Sequence, residues 1–158
     1  MAKEFSVIPL SLREANDFVL EHHRHNKKVP VHKFSLGCIY KEDMIGVVIV
    51  GRPVARRLDS RLVAEIHRLC IKDPSPKNAC SFLYNKCWNI WKQMGGTKIL
   101  TYTLTAESGS SLRGAGWDIV NITKPLSKNA KGWNTRENRN NQEVYYQEKF
   151  RWEKSATN

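Results

Sequence analysis

Glu65 and His67 stand two residues apart in a run that reads as a β-strand, so both fall on one face, with Arg68 and Cys70 on the other. A carboxylate in that setting is a candidate base, or else the partner of a nearby arginine. Tyr102, in a second β-rich run, is a candidate acid for a departing group; the plainer reading is a half-buried core tyrosine. His22 and His25 lie three apart in the cluster His22-His23-Arg24-His25, so both can face one site. Catalysis is one reading of that pair, and a helix end with histidines near its C-terminal dipole is the other. A metal held by His22 and His25 is a further, weaker reading, since spacing fixes no Asp, Glu or Cys partner for it.

The elements that must position these residues are legible in order. Residues 5–9 form a short strand candidate, and Ser11 with Glu14 forms a capping box. The helix it starts places Leu12, Ala15, Phe18, Val19 and His22 on one face and runs out near His25. Residues 34–40 alternate, and residues 44–50 are continuously apolar, as in a strand buried on both faces; together they predict an antiparallel hairpin. Gly51-Arg52-Pro53 breaks the second strand. Residues 62–71 are an apolar-rich run that ends in the turn chemistry of Lys72-Asp73-Pro74-Ser75-Pro76. Cys80, Leu83, Tyr84, Cys87, Trp88, Trp91 and Met94 then recur at steps of three and four, predicting a helix stopped by Gly95-Gly96. A strand over 98–104, a short helix over 108–115 and strands over 119–122 and 144–152 follow. The long polar stretch 126–141 between the last two is of a length usually tied to function or mobility.

The 158 residues suit a single domain, and 41% hydrophobic content is enough for a real core. No apolar run is long enough to span a membrane. The first residues lack a signal-peptide pattern, and none of Cys38, Cys70, Cys80 and Cys87 makes a C-x-x-C pair. Reduced core thiols of a cytoplasmic protein are the expectation. The net charge of +11 points to a polyanionic partner. Basic residues concentrate in segments that read as loops: Arg24, Lys27, Lys28 and Lys33; then Arg52, Arg56, Arg57 and Arg61; then Lys124, Lys128, Lys131, Arg136 and Arg139. Trp133 among the last group suits base stacking beside phosphate contact, or else it pins the loop to the body.

The order strand, loop, helix, strand, short helix, strand over residues 64–120 resembles the GNAT (GCN5-related acetyltransferase) superfamily. The segments HHRH, VGRPVARRLD, RLCIKD, NAC, TYTL, ESGSSLRGAGW, GW-x-T-R-x-x-R and K-x-RWE resemble a phage and prophage family of GNAT-like proteins. That family is distantly similar to Mom, the phage Mu protein that modifies adenine in DNA. The resemblance implies an α+β fold with a mixed sheet of six or seven strands flanked by helices. It implies that acetyl-CoA or another acyl-CoA enters beside a splayed strand, its acyl carbonyl against backbone near Leu69, Cys70 and Ile71. Its pyrophosphate would lie on the loop 74–81, through Lys77, Asn78, Ala79, Cys80 and Ser81. The Arg/Gln-x-x-Gly-x-Gly/Ala motif usual there is absent, and Arg113 stands where many members carry an acidic tyrosine. Glu65 is the implied base.

An acyltransferase that modifies nucleic acid, DNA before RNA, is therefore the expected activity, protecting phage DNA from restriction. Arg24, Lys27, Arg52, Arg56, Arg57, Trp133, Arg136 and Arg139 are the expected contacts. Two alternatives stand beside it: an acetyl-CoA-dependent N-acetyltransferase of a protein or small-molecule amine, and a GNAT-fold nucleic-acid-binding module without catalysis.

Overall fold

A computed structural model describes residues 4–22, 27–123 and 148–156. Strand β1 (Phe5–Leu10) leads into helix α1 (Leu12–His22). The capping box forms as predicted: Ser11 N–H donates to Glu14 Oε1 at 2.8 Å and Glu14 N–H to Ser11 Oγ at 3.1 Å. Strands β2 (Phe34–Tyr40) and β3 (Asp43–Gly51) make the antiparallel hairpin, and β3 is buried from Ile45 to Gly51. A single 3-10 turn, Arg56–Leu58, precedes β4 (Val63–Ile71).

Helix α2 (Ala79–Gln93) carries Leu83, Cys87, Trp88 and Trp91 on its buried side. Gly95 follows it in the left-handed region, at φ 96°, which a glycine adopts without a Cβ clash. Then come β5 (Lys98–Leu104), the short helix α3 (Ser110–Gly114), β6 (Asp118–Thr123) and β7 (Lys149–Ser155). Residues 144–147 of the last predicted strand, and the stretch 126–141, lie outside the described residues.

The seven strands make one mixed sheet in the order β1-β2-β3-β4-β5-β7-β6. Only β4 and β5 pair in parallel. One face packs on α1 through Ala15, Phe18, Val19, Val47, Ile49 and Cys70. The other packs on α2 and α3 through Leu83, Cys87, Trp88, Trp91 and Leu112 against Val48, Ile66, Ile99 and Trp152. All four cysteines are free thiols. Among the described residues no helix is long and apolar enough to cross a membrane.

Two features of the sheet set up the site. The β4–β5 ladder pairs only Val63, Ala64 and Glu65 with Lys98, Ile99 and Leu100, then ends. Beyond it the strands part, and residues 66–71 lose their ladder partner on that side. The Thr101 hydroxyl donates to the Ile66 carbonyl at 3.1 Å just where the gap opens. On its other side, β4 shifts register against β3 between the pairs Ile49–Arg68 and Val50–Ile66, leaving His67 as an extra, bulged residue.

The bulge corrects the face assignment made from alternation alone. Arg68 donates from Nη2 to the Lys27 carbonyl at 3.0 Å, and Cys70 joins the α1 core. Leu69 and Ile71 pack with the α2 core. Arg68 and Cys70 therefore share the α1 face with Glu65, because one unpaired residue resets the period of two.

Candidate active site

Glu65 lies at the closed end of the β4–β5 gap, on the α1 face, and is only 6% exposed. Its Oε1 accepts the Val54 N–H at 3.0 Å, so the loop after β3 folds back over the carboxylate. Burial pushes the Glu65 carboxyl up to about 7; the Val54 N–H and the charges of Lys149 and Arg68 pull the other way. A carboxylate poised near neutrality can both take and return a proton at working pH.

His67 Nδ1 stands 3.7 Å from Glu65 Oε2. The opposite ring edge lies over Gly51: a Cβ there would meet His67 Cδ2 and Nε2 at 2.8 Å. A hydrogen bond to the Arg52 backbone also holds the ring, and burial lowers the affinity of the imidazole for a proton. Gly51 has the space the ring needs only because it lacks a side chain.

Tyr102 projects from β5 on the same face. Burial and the neighbouring Glu65 charge raise its phenol, while hydrogen bonding to Arg151 opposes the shift. Lys149 on β7 also feels the Glu65 charge, and its own burial weakens its hold on a proton. Arg151 Nε is 3.3 Å from Glu153 Oε2, and Lys98 Nζ is 3.5 Å from Glu153 Oε1. A cluster of polar side chains thus spans β4, β5 and β7, with the loop after β3 bonded to its carboxylate.

The residues expected to hold a donor lie elsewhere. Leu69, Cys70 and Ile71 are in the splayed half of β4. Asn78 precedes α2 in the left-handed conformation at φ 77° and makes no side-chain cap. The first-turn N–H groups of Ala79, Cys80 and Ser81 therefore lack the usual side-chain acceptor. The start of α2 borders, through Ser81, a cleft of about 550 Å³ lined by Phe5, Tyr40, Lys77, Asn78, Ser81 and Phe82, among others. The Ser81 hydroxyl donates to the Ser111 carbonyl at 3.2 Å, tying α2 to α3. Arg113 lies over the Trp152 ring, 5.1 Å from its centroid, and donates to the Ser108 carbonyl.

Two of the basic segments are tied to β4. Arg52, Arg56 and Arg57 are exposed on the loop that bonds Glu65, with Arg52 paired to Asp59. Lys27 meets Arg68 through its carbonyl, and the segment that follows is clamped to α1 by Asn16. The Asn16 amide donates to the Val29 carbonyl and accepts the Val29 N–H, both at 2.9 Å. His22 is turned to its own helix, its ring centroid 4.3 Å from that of Phe18 in a tilted pair and its Nε2 3.7 Å from Glu21 Oε2. His25, Arg24, Trp133, Arg136 and Arg139 lie outside the described residues. No group of three or more His, Cys, Asp or Glu among the described residues is placed to hold a metal.

Sequence reasoning missed Val54, Asn16, Thr101, Lys149 and Arg151. The first acts through its backbone, which no side-chain pattern signals. The others acquire their roles through partners 13 or more positions away.

The model of the Mom protein family matches residues 4–155. Comparison with curated proteins gave no match. Among solved structures, a Bacillus subtilis acetyltransferase in complex with CoA is 12% identical, with a TM-score of 0.62 over 97% of this chain and 99% of its own. An IAA acetyltransferase from Bacillus cereus is 14% identical, with a TM-score of 0.67 over 96% and 99%. A GNAT family acetyltransferase from Elizabethkingia anophelis with acetyl-CoA bound is 12% identical, with a TM-score of 0.62 over 98% and 99%. At such identities the likeness establishes the fold, which is that of the GNAT acetyltransferases.

Proposed function

The chain belongs to the Mom protein family, and from that premise we propose that it is a single-domain acyltransferase that modifies an amine of nucleic acid, with an adenine amine in DNA as the favoured acceptor. The observation that carries the reading is Glu65: a buried carboxyl held near neutrality where β4 and β5 part.

The donor site we assign is acyl-CoA, and the residues present fit it. The uncapped first turn of α2 presents N–H groups and the positive end of a helix dipole to a pyrophosphate. Lys77 adds a cation at the same cleft. The open edge of residues 66–71 offers backbone groups to an acyl chain and its carbonyl. When bound, acyl-CoA would supply a thioester carbonyl ready for attack.

Glu65 Oε2 takes a proton from the acceptor nitrogen as the new carbon–nitrogen bond forms and the carbon–sulfur bond breaks. An exocyclic base amine is a weak nucleophile, so this transfer belongs late in the step. Tyr102, kept protonated by burial and by the Glu65 charge, returns a proton to the departing sulfur. His67 holds Glu65 from the side and shields it from water. Arg52, Arg56 and Arg57 receive phosphates, with Trp133, Arg136 and Arg139 as further contacts from the 126–141 stretch. The protein works in the cytoplasm of a bacterial host, shielding phage DNA from restriction.

Nucleoside mass spectrometry of DNA from cells making the protein tests the reading. A new adenine derivative is expected, absent with Glu65→Gln. Calorimetry with acetyl-CoA separates the alternative of a binding module: DNA binding without any acyl-CoA binding would favour the module and overturn the transferase.

A further inference from the structure

We propose that Val54 is a wedge that enters a DNA duplex as the acceptor base leaves the stack. The inference rests on the nucleic-acid reading above and adds the form in which the substrate is taken.

A carboxylate only 6% exposed, beneath the loop after β3, cannot meet an amine that stays inside a stacked duplex. A base modified there must be extruded, which costs stacking and pairing energy. Proteins that open base steps often insert an apolar side chain between cations that grip the flanking phosphates. The loop after β3 has that composition. Its inner side holds the carboxylate through the Val54 N–H. Its outer side exposes Val54 between Arg52, Arg56 and Arg57.

Single exposed apolar residues are ordinary on protein surfaces, so position has to decide. Among the described residues the three most exposed large hydrophobics are Val31 at 63%, Met94 at 59% and Val54 at 58%. Val54 sits on the loop bonded to Glu65, and Val31 on the segment whose carbonyl lies beside Gly51, the β3 partner of Glu65. Val54 N is 3.0 Å from the carboxylate while its residue is largely exposed, which puts an apolar side chain on the surface beside Glu65. Pro53 before it is buried and fixes φ, anchoring the tip. Val31 belongs to the segment joined to β3 by Lys33 N–H donating to the Val50 carbonyl at 2.7 Å, and it offers a second apolar contact on the same approach.

The test uses the full chain and a duplex in which 2-aminopurine replaces scattered adenines, read by fluorescence. It is paired with modification rates on a duplex and on its separated strand. Glu65→Gln protein, which binds without transferring, should raise the fluorescence as bases unstack. Val54→Ala and Val54→Asp keep the backbone N–H; each should lower that rise, and lower the duplex-to-single-strand rate ratio about tenfold. Val54→Ile should restore both. Equal rate losses on the two substrates, or an unchanged fluorescence rise in Val54→Ala, would overturn the wedge, as would a wild-type protein that leaves the duplex stacked. If the rise depends on Val54 but no nucleoside is modified, the transferase reading fails and the wedge stands.

Discussion

The Glu65 carboxyl couples activity and stability in opposite directions. As a base it must be ionised, so kcat/KM should rise with pH through about 7 and then level off. Its folded proton affinity exceeds that of the unfolded chain. The folded state is therefore favoured below about pH 4.5, and that contribution is lost as pH rises to about 7. At about 1.4 kcal/mol per unit the loss amounts to about 3 kcal/mol above neutrality. Glu65→Gln should abolish transfer and yet unfold at higher denaturant at pH 8 than wild type; equal or lower stability there would show that the carboxylate is not strained by its burial. Gly51→Ala is the complementary change. It places a methyl where the His67 ring now lies and should reduce transfer far more than it reduces stability, measured on the same preparation. Glu65, His67 and Tyr102 were legible as candidates because strand periodicity is local. Val54 and Lys149 were not, since the Val54 N–H and the Lys149 charge reach Glu65 only after the sheet has assembled.

At the scale of elements, β4 is defined by what it fails to pair with. Its parallel ladder stops after three residues, and the Thr101 hydroxyl caps the fork. Thr101→Val keeps the shape but strands the buried Ile66 carbonyl, at a cost of about 1–3 kcal/mol. Transfer should fall further than stability predicts if the fork also sets the donor path. Asn16 plays a similar part under the 27–33 segment. Asn16→Leu leaves the buried N–H and carbonyl of Val29 without partners and should cost about 2–4 kcal/mol in urea unfolding. The capping box, the hairpin and the glycine stop of α2 were readable because each is local chemistry. The bulge at His67 was not: it moved Arg68 and Cys70 to the Glu65 face, and nothing within residues 62–71 marks where the register slips.

For the whole molecule, charge and topology matter together. The +11 charge was evident at once, but chain order does not reveal that β7 inserts between β5 and β6 and carries Lys149 and Arg151 to Glu65 and Tyr102. Phosphate contacts make binding salt-dependent, with a log–log slope of about 0.9 per contact. Arg56→Ala with Arg57→Ala should flatten that slope by about 2 and weaken binding to all sequences alike, measured by titration over a salt series. Slopes that match wild type would remove those arginines from the interface. The cleft beside α2 and the polar cluster around Glu65 are lined by different elements among the described residues. The order of events in time follows from this geometry. The proposed donor and acceptor sites lie on separate elements, and the thiol on the Glu65 face, Cys70, is buried and pushed up to about 11, too seldom ionised to attack an acyl donor. On the proposed reading transfer is direct, with both reactants aboard: initial-rate plots should intersect rather than run parallel, and labelled CoA should not exchange into the donor until an acceptor is added.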